Sequence, residues 1–533
     1  MMHEDPIRMP LTPLQHLVAA LREPACYPHA AAEVAVHETH ISVVLLAGDH
    51  AYKLKKPLDL GFLDFSTLEK RRSACEAELA LNRRTAPSLY LDVVPIGGTP
   101  DAPRIGALPA IEYAVHMRRF PQEALLDRIA VRDCLDAPSL DALARDLAAF
   151  HARCDIAAED TPWATPEAVL EPAAQNFTQL APLIESAHDR EMLDALRDWT
   201  RAEHARIAPA ITARRGAGRV RECHGDLHLG NLVMLDGRAT PFDCIEFNPR
   251  LRWIDVASEI AFLVMDLIDH GARAAAHRLL DGYLAATGDY DGLAVLPFYL
   301  VYRAMVRAKI ACMRAHQPGL DLHGRTRADA QYHGYLRLAR QLTAPHRPVL
   351  ALMHGLSGSG KSSAALALVE RTGAVRVRAD VERKRLHGLA WDAASGAALD
   401  AGLYSHEATV RTYARLEALA GVILDAGFSA IIDAASLRRA ERDAFGKVAA
   451  AHGVPFVVIS CDADVPTLRA RIEARRAAGG DASEATLAVL DRQLATQERL
   501  TDDERPRTLR LDTTLDEAAF ASALDAVARK LRA

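Results

Sequence analysis

The chain has 533 residues, half of them hydrophobic and a quarter charged, with a net charge of −6 at neutral pH. That length exceeds one core and implies two or three domains, and the mild acidity excludes a protein that coats nucleic acid or a membrane surface. The start, Met1-Met2-His3-Glu4-Asp5-Pro6, has no basic or apolar leader pattern, no apolar run approaches a membrane span, and the eight cysteines form no C-x-x-C pair. A cytoplasmic protein without a zinc or disulfide framework is therefore expected.

Residues 1–30 read as a proline-rich extension around one short helix, Pro13 to Arg22. Val34–Glu38 and Ile41–Leu46 then read as strands, Gly48-Asp49 as a turn, and Ala51-Tyr52-Lys53-Leu54-Lys55 as a third, alternating strand. A helix follows from Ser66, carrying Arg71, Glu76, Glu78 and Arg83, and two more strands lie at Val93–Ile96 and Ile111–Met117. Mostly helical sequence runs from about Glu123 to Arg215 and leads into Arg221-Glu222-Cys223-His224-Gly225-Asp226-Leu227-His228-Leu229-Gly230-Asn231. After a turn at Gly237, Ala239–Phe247 reads as a strand bearing Asp243.

This block resembles the aminoglycoside phosphotransferase group of the protein-kinase-like fold, whose catalytic loop reads H-G-D-x-x-x-x-N. The order of five strands with a helix after the third is similar to the small lobe of a kinase. The resemblance implies that Asp226 accepts the proton of an acceptor hydroxyl while Asn231 and Asp243 hold Mg²⁺. It places Lys53 on the α- and β-phosphates of ATP, with Glu78 favoured over Glu76 as its ion-pair partner and Lys55 as the substitute for Lys53. Met117-Arg118-Arg119-Phe120 would be the hinge beside the adenine. A competing reading takes Cys223, His224, Asp226 and His228 as metal ligands, and a third takes them as a polar turn around a core histidine. Two departures stand out: no G-x-G-x-x-G loop lies between residues 33 and 50, and Asp243 is followed by Cys-Ile, with Glu246 nearby in no assigned role.

Asp255 and Glu259 then begin a helix with an apolar face, and a later helix carries Arg303, Arg307, Lys309 and Arg314, either an anionic acceptor site or a solvated or salt-bridged face. Residues 341–348, with Pro345 and Pro348, read as a linker. Beyond it, Gly355-Leu356-Ser357-Gly358-Ser359-Gly360-Lys361-Ser362 fits G-x-x-x-x-G-K-[ST] between an apolar strand, Val349–His354, and a helix-forming run from Ser363. In such a loop the backbone N–H groups of Gly355, Ser357, Gly358, Ser359, Gly360 and Ser363 cradle phosphates, Lys361 reaches the β- and γ-phosphates, and Ser362 ligates Mg²⁺. A strand at 374–379 ends in Asp380, which is either the residue that meets the acceptor hydroxyl or a helix N-cap. Phe428–Asp433 is an apolar strand ending in an acid suited to Mg²⁺, and two more strands lie at Pro455–Cys461 and Thr508–Asp512. Between those two, Arg469, Arg471, Arg475 and Arg476 precede Ala478–Ser483, reading either as a basic helix or as a lid whose Arg471 and Arg475 close over phosphate.

Residues 349–533 resemble a small P-loop kinase of the zeta-toxin or polynucleotide-kinase-like kind. The expected architecture is an α/β multidomain chain: a bilobal protein-kinase-like (α+β) domain at 31–340, with lobes at about 31–120 and 121–340, then an α/β P-loop domain with a parallel sheet. The expected activity is phosphotransfer from Mg-ATP at two nucleotide sites to an alcohol group of a small molecule, with neither membrane nor nucleic acid as partner. The alternative is a single active kinase half regulated by nucleotide in the P-loop half.

Overall fold

The computed structural model describes residues 13–532 apart from Leu60, Phe62, 133–134, Pro318, 391–404 and 479–484. The chain folds into two compact units. The first takes the chain up to Cys134 together with Phe150–Trp163 and Val220–Glu259; the second takes Leu135–Ala149, Ala164–Arg219 and Ile260–Ala533.

The first unit is built on an antiparallel sheet of β1 (Val34–Glu38), β2 (Ser42–Ala47), β3 (His50–Lys55), β4 (Tyr90–Thr99), β5 (Ala102–Ile105) and β6 (Ala110–Arg118), in the order β1-β2-β3-β6-β4-β5. β5 was not expected: its four residues include Pro103 and have no apolar run, and only pairing with β4 across a tight turn makes it a strand. β3 is buried along most of its length because both neighbours, β2 and β6, carry apolar residues against it. The helix Leu68–Asn82 starts at Thr67, whose hydroxyl accepts from the Lys70 amide, and packs on β4 and β6. Two short pairs complete the unit: β7 (Val220–Glu222) with β10 (Trp253–Asp255), and β8 (Leu232–Leu235) with β9 (Arg238–Pro241).

In the second unit, β11 (Leu350–His354), β12 (Val375–Arg378), β13 (Ala430–Asp433), β14 (Phe456–Asp462) and β15 (Thr508–Asp512) form a parallel sheet ordered β12-β13-β11-β14-β15. All five residues of β11 are buried, as a central strand covered on both faces requires. β11 runs between β13 and β14, so the strand order reverses there, and the loop at its C-terminal end opens where ligands bind in such sheets. The helix Lys361–Thr372 follows and closes on Gly373 in the left-handed conformation. Residues 343–349 carry neither helix nor strand between the helix Leu322–Leu342 and β11.

The sheet is tied to a helix from before that stretch, Arg273–Thr287. Arg376 on β12 forms a buried two-point pair with Asp281 at 3.2 and 2.6 Å, and Arg278 bridges Asp141 and Glu370. No helix among the described residues is long and apolar enough to cross a membrane.

Candidate functional site

In the first unit, Lys53 lies on β3 opposite Val44 of β2 and Val115 of β6. Its Nζ donates to Glu78 Oε1 at 2.8 Å and also to Asp243 Oδ1. Lys55, two residues on and therefore on the same strand face, donates to Glu78 Oε2 and Glu246 Oε1. One fully buried glutamate thus holds two lysines, and each lysine reaches a second acid after β9. Glu76 instead pairs with Arg72 on the surface at 2.8 Å. Burial alone would lower both lysines, but the facing carboxylates overcome it and hold Lys53 well above the usual lysine range, with Asp243 contributing most. Burial likewise opposes the charge on Glu78, yet its two ammonium partners pull it below the usual range; Glu246, buried and sharing only Lys55, is raised.

The loop after β7 brings Asp226 and Asn231 together. Asn231 Nδ2 donates to the Asp226 carbonyl at 3.0 Å and to its Oδ2 at 2.9 Å. Gly225 has φ +89°, and a Cβ there would stand 2.7 Å from the Leu251 carbonyl oxygen, so only glycine fits before Asp226. Glu259 fixes the approach, accepting the backbone N–H of His224 at 2.6 Å and of Gly225 at 3.0 Å. His224 is buried, its Nε2 donates to the Phe242 carbonyl at 2.9 Å, and burial pushes its pKa down to about 4, so the ring is neutral near pH 7.

Asp243 does not lie on a strand. β9 ends at Pro241, and Asp243 takes φ +62°, a conformation that costs a non-glycine residue energy and is common at functional sites. Two side chains hold the turn: Asp243 N–H donates to Tyr90 Oη at 3.0 Å, and Cys244 N–H to Asn82 Oδ1 at 2.9 Å. The expected hinge residues Arg119 and Phe120, with Ala35, Leu46 and Gly48 of the β1–β2 region, line a cavity of about 480 Å³.

In the second unit, the loop from Gly355 to Ser362 opens into a cavity of about 1020 Å³ lined by Lys361, Ser362, Ser363, Asp380, Asp433 and Arg475 among others. Gly358 has φ +84°, with the Leu468 carbonyl 2.6 Å from where a Cβ would sit. The half-buried Lys361 donates to the Leu356 carbonyl at 2.8 Å. Burial lowers its pKa, only partly opposed by Asp433 and Asp380. Asp433, at the end of β13, has a buried Oδ2 with no hydrogen-bond partner among the described residues; Arg376 and Arg378 lie 3.9 and 3.8 Å from it. Ser359 Oγ is likewise buried and without a hydrogen-bond partner among the described residues. A carboxylate and a hydroxyl on a phosphate-shaped loop are hard oxygen donors and fit Mg²⁺.

A family model described as phosphotransferase enzyme family matches residues 63–296, and one described as AAA domain matches residues 350–500. Proteins of Mycobacterium tuberculosis strain H37Rv (Uncharacterized protein Rv2004c) and Mycobacterium bovis (Uncharacterized protein Mb2027c) are each 34% identical over 362 residues, covering 66% of this chain and 68% of theirs. The chain belongs to the phosphotransferase enzyme family. Its AAA-type P-loop region makes it a fusion of two kinase-type folds. Among solved structures, the amicoumacin kinase hAmiN is 14% identical at a TM-score of 0.39, covering 61% of this phosphotransferase and 92% of that chain. A sugar kinase from Janibacter sp. HTCC2649 is 25% identical at a TM-score of 0.26, covering 36% and 99%.

Several expectations change in detail. Cys223, His224, Asp226 and His228 do not gather as metal ligands: β7 ends at Glu222, His224 faces the Phe242 carbonyl, and His228 Nδ1 accepts the Gly230 amide at 3.1 Å. Asp380 is not an N-cap, because β12 ends at Arg378, which takes the N-cap position of the helix Ala379–Leu386 without a side-chain capping bond, and Asp380 sits in the first turn lining the cavity. Arg471 donates to the Thr513 carbonyl at 2.6 Å, to its hydroxyl at 2.9 Å and to the Gly358 carbonyl at 3.4 Å, bracing the loop, while Arg475 lines the cavity. Most of the expected flexible stretch 478–483 lies outside the described residues. Arg303 and Arg307 are not a free basic face: Arg303 lies over the Phe262 ring and Arg307 donates to Tyr335 Oη at 3.2 Å.

Residues that sequence reasoning missed include Glu259 as anchor of the loop, Tyr90 and Asn82 behind Asp243, and Gln493, whose Oε1 accepts the Ser357 amide at 2.8 Å. Glu259 had been read only as a helix beginning; its spacing from His224 carries no local signal.

Proposed function

We propose that this phosphotransferase moves the γ-phosphoryl of Mg-ATP to a hydroxyl of a small molecule and has two nucleotide sites, in regions bounded at about 31–340 and 349–533. The observation that carries the reading is the convergence of Lys53, Glu78 and Asp243 through direct ion pairs, in the same unit as the Asp226–Asn231 pair. Lys53 binds phosphate oxygens while Glu78 fixes its ammonium. Asp226, oriented by the Asn231 amide, takes the proton of the acceptor hydroxyl as the oxygen attacks phosphorus, which contributes about 10²- to 10⁴-fold. In the P-loop region Lys361 and the loop amides bind phosphates, Arg475 approaches them from the cavity wall, and Asp380 receives the acceptor. Asn231 with Asp243, and Ser362 with Asp433, would hold Mg²⁺, which offsets phosphate charge when bound.

A second reading makes the P-loop region a nucleotide-dependent regulator; the buried Arg376–Asp281 pair favours it, because it joins the P-loop sheet to a helix of the preceding region. Transfer of labelled γ-phosphate into a panel of sugars, nucleosides, aminoglycosides and cell extract tests both. Separate labelled products lost in Asp226→Ala and in Lys361→Ala are expected for two active sites. One product lost in both variants supports regulation, and no label in any fraction removes the transferase reading.

A further inference from the structure

Asp433 stands among cations. Its buried Oδ2 lies 3.9 Å from Arg376 Nη1 and 3.8 Å from Arg378 Nε, and its charge also reaches the half-buried Lys361. A carboxylate engaged by a guanidinium is a poor ligand for a metal ion, yet the Arg376 fork is turned elsewhere. Arg376 Nε and Nη2 donate to Asp281 Oδ1 and Oδ2 at 3.2 and 2.6 Å, and Nη1 donates to the Ser362 carbonyl at 3.1 Å. Both partners of the pair are more than nine-tenths buried. Its surroundings hold it in register: Tyr290 Oη donates to the Arg376 carbonyl at 3.4 Å, and Arg385 Nη2 to the Ala285 carbonyl at 2.5 Å.

We infer that Asp281 is a positioning residue of the P-loop site: by occupying the Arg376 guanidinium it keeps Asp433 open to Mg²⁺ and steadies Ser362 through its carbonyl. The inference rests on reading the P-loop as a Mg-nucleotide site. Its physical basis is competition. A buried guanidinium deprived of its carboxylate turns to the nearest other one, because an unpaired charge in a low-dielectric interior is costly. For Arg376 that acid is Asp433. Asp281 therefore acts on the site from the helix Arg273–Thr287, 95 residues before its arginine partner and outside the P-loop motif.

The test is a Mg²⁺ titration of the binding of a fluorescent ATP analogue to the full chain, taking the component lost in Lys361→Ala. Asp281→Ala is expected to raise the Mg²⁺ concentration at half-saturation by about 10- to 100-fold, the usual effect of losing an outer partner of a metal ligand. Adding Arg376→Met to Asp281→Ala removes the freed guanidinium, leaves Arg378 as it is in wild type, and is expected to bring that concentration most of the way back. A melting temperature lowered in the single and double variants alike, with the Mg²⁺ requirement unchanged, overturns the inference and leaves a structural joint. Should Asp281→Ala not fold, Asp281→Asn keeps the shape and weakens the pair; an unchanged Mg²⁺ requirement in that folded variant also overturns it. If wild type shows no Lys361-dependent binding, the P-loop reading fails and the inference falls with it.

Discussion

Lys53 and Lys361 each stand where a phosphate is expected, in opposite electrostatic settings. Lys53 is surrounded by acids: Glu78 and Asp243 touch it, and Lys55 and Glu246 extend the cluster to two lysines and three carboxylates. Lys361 touches a carbonyl, and burial lowers its pKa because the nearby acids do not fully offset desolvation. The first site is assembled by ion pairs reaching between a strand, a helix and a loop distant in sequence. The second is assembled by local backbone, with glycines at positive φ aiming the chain, and much of its counter-charge is left for a ligand to supply. Long-range ion pairs and a local glycine loop are thus two ways of holding a lysine where a phosphate is expected.

The largest expected effect breaks this contrast directly. Glu78→Gln leaves two buried lysines short of a partner, and losing one member of a buried charge pair costs about 3–5 kcal/mol. Lys361→Met removes a half-buried charge that its surroundings only partly compensate and keeps its bulk, so its effect on folding stability is expected to be neutral or favourable while Mg-nucleotide binding at the loop is lost. Denaturant unfolding of both variants measures the difference. Equal destabilisation would mean that the two lysines are held alike after all.

The same contrast explains what was legible in the sequence. The P-loop could be read because strand, glycines, Lys361 and Ser362 are contiguous and the loop builds itself from local backbone. Asp226, Asn231, Lys53 and Glu78 were legible through the spacing and order of motif residues. What escaped depends on distance along the chain. Glu259 reaches His224 across 35 residues, Tyr90 reaches Asp243 across 153, and Asp281 reaches Arg376 across 95, and no local pattern encodes such meetings. Asp243 was placed on a strand because Ala239–Phe247 alternates well enough; the left-handed turn becomes visible only with its two braces in place. β5 escaped because its strand character comes from its neighbour.

A second, somewhat smaller effect compares the histidines that come shortly before each site. Burial pushes both His224 and His354 to about pKa 4, but neighbours act oppositely. Asp226 and Asp243 resist the shift at His224, whereas Arg442 and Lys361 add to it at His354. A histidine depressed from an unfolded value near 6.5 binds more protons unfolded than folded between those two values. Stability therefore falls as pH drops from about 6.5 to about 4, by about 3 kcal/mol for the fully buried His224, and levels off below. His224→Gln is expected to flatten that part of the stability profile measured by urea unfolding across pH. An unchanged slope would show that the Asp226 and Asp243 carboxylates offset burial and leave the ring titrating as in the unfolded chain.

The smallest effect separates the two candidate Mg²⁺ acids. Asp243 owes its position to a strained turn whose N–H is satisfied by Tyr90 Oη, while Asp433 simply ends a parallel strand. Tyr90→Phe removes that acceptor and leaves a backbone N–H unpaired, at a cost of about 1–3 kcal/mol. Because the cost falls on the turn itself, Asp243 is expected to lose its fixed direction toward Lys53, and the Mg²⁺ requirement of Asp226-dependent transfer rises. Lys361-dependent nucleotide binding is expected to stay at its wild-type Mg²⁺ requirement, since the Tyr90 hydroxyl serves the Asp243 turn. Transfer assays and binding titrations on the one variant read both quantities. A change confined to melting temperature, with both Mg²⁺ requirements intact, would mean that the +62° turn at Asp243 holds without its tyrosine, on the Asn82 brace and the Lys53 pair.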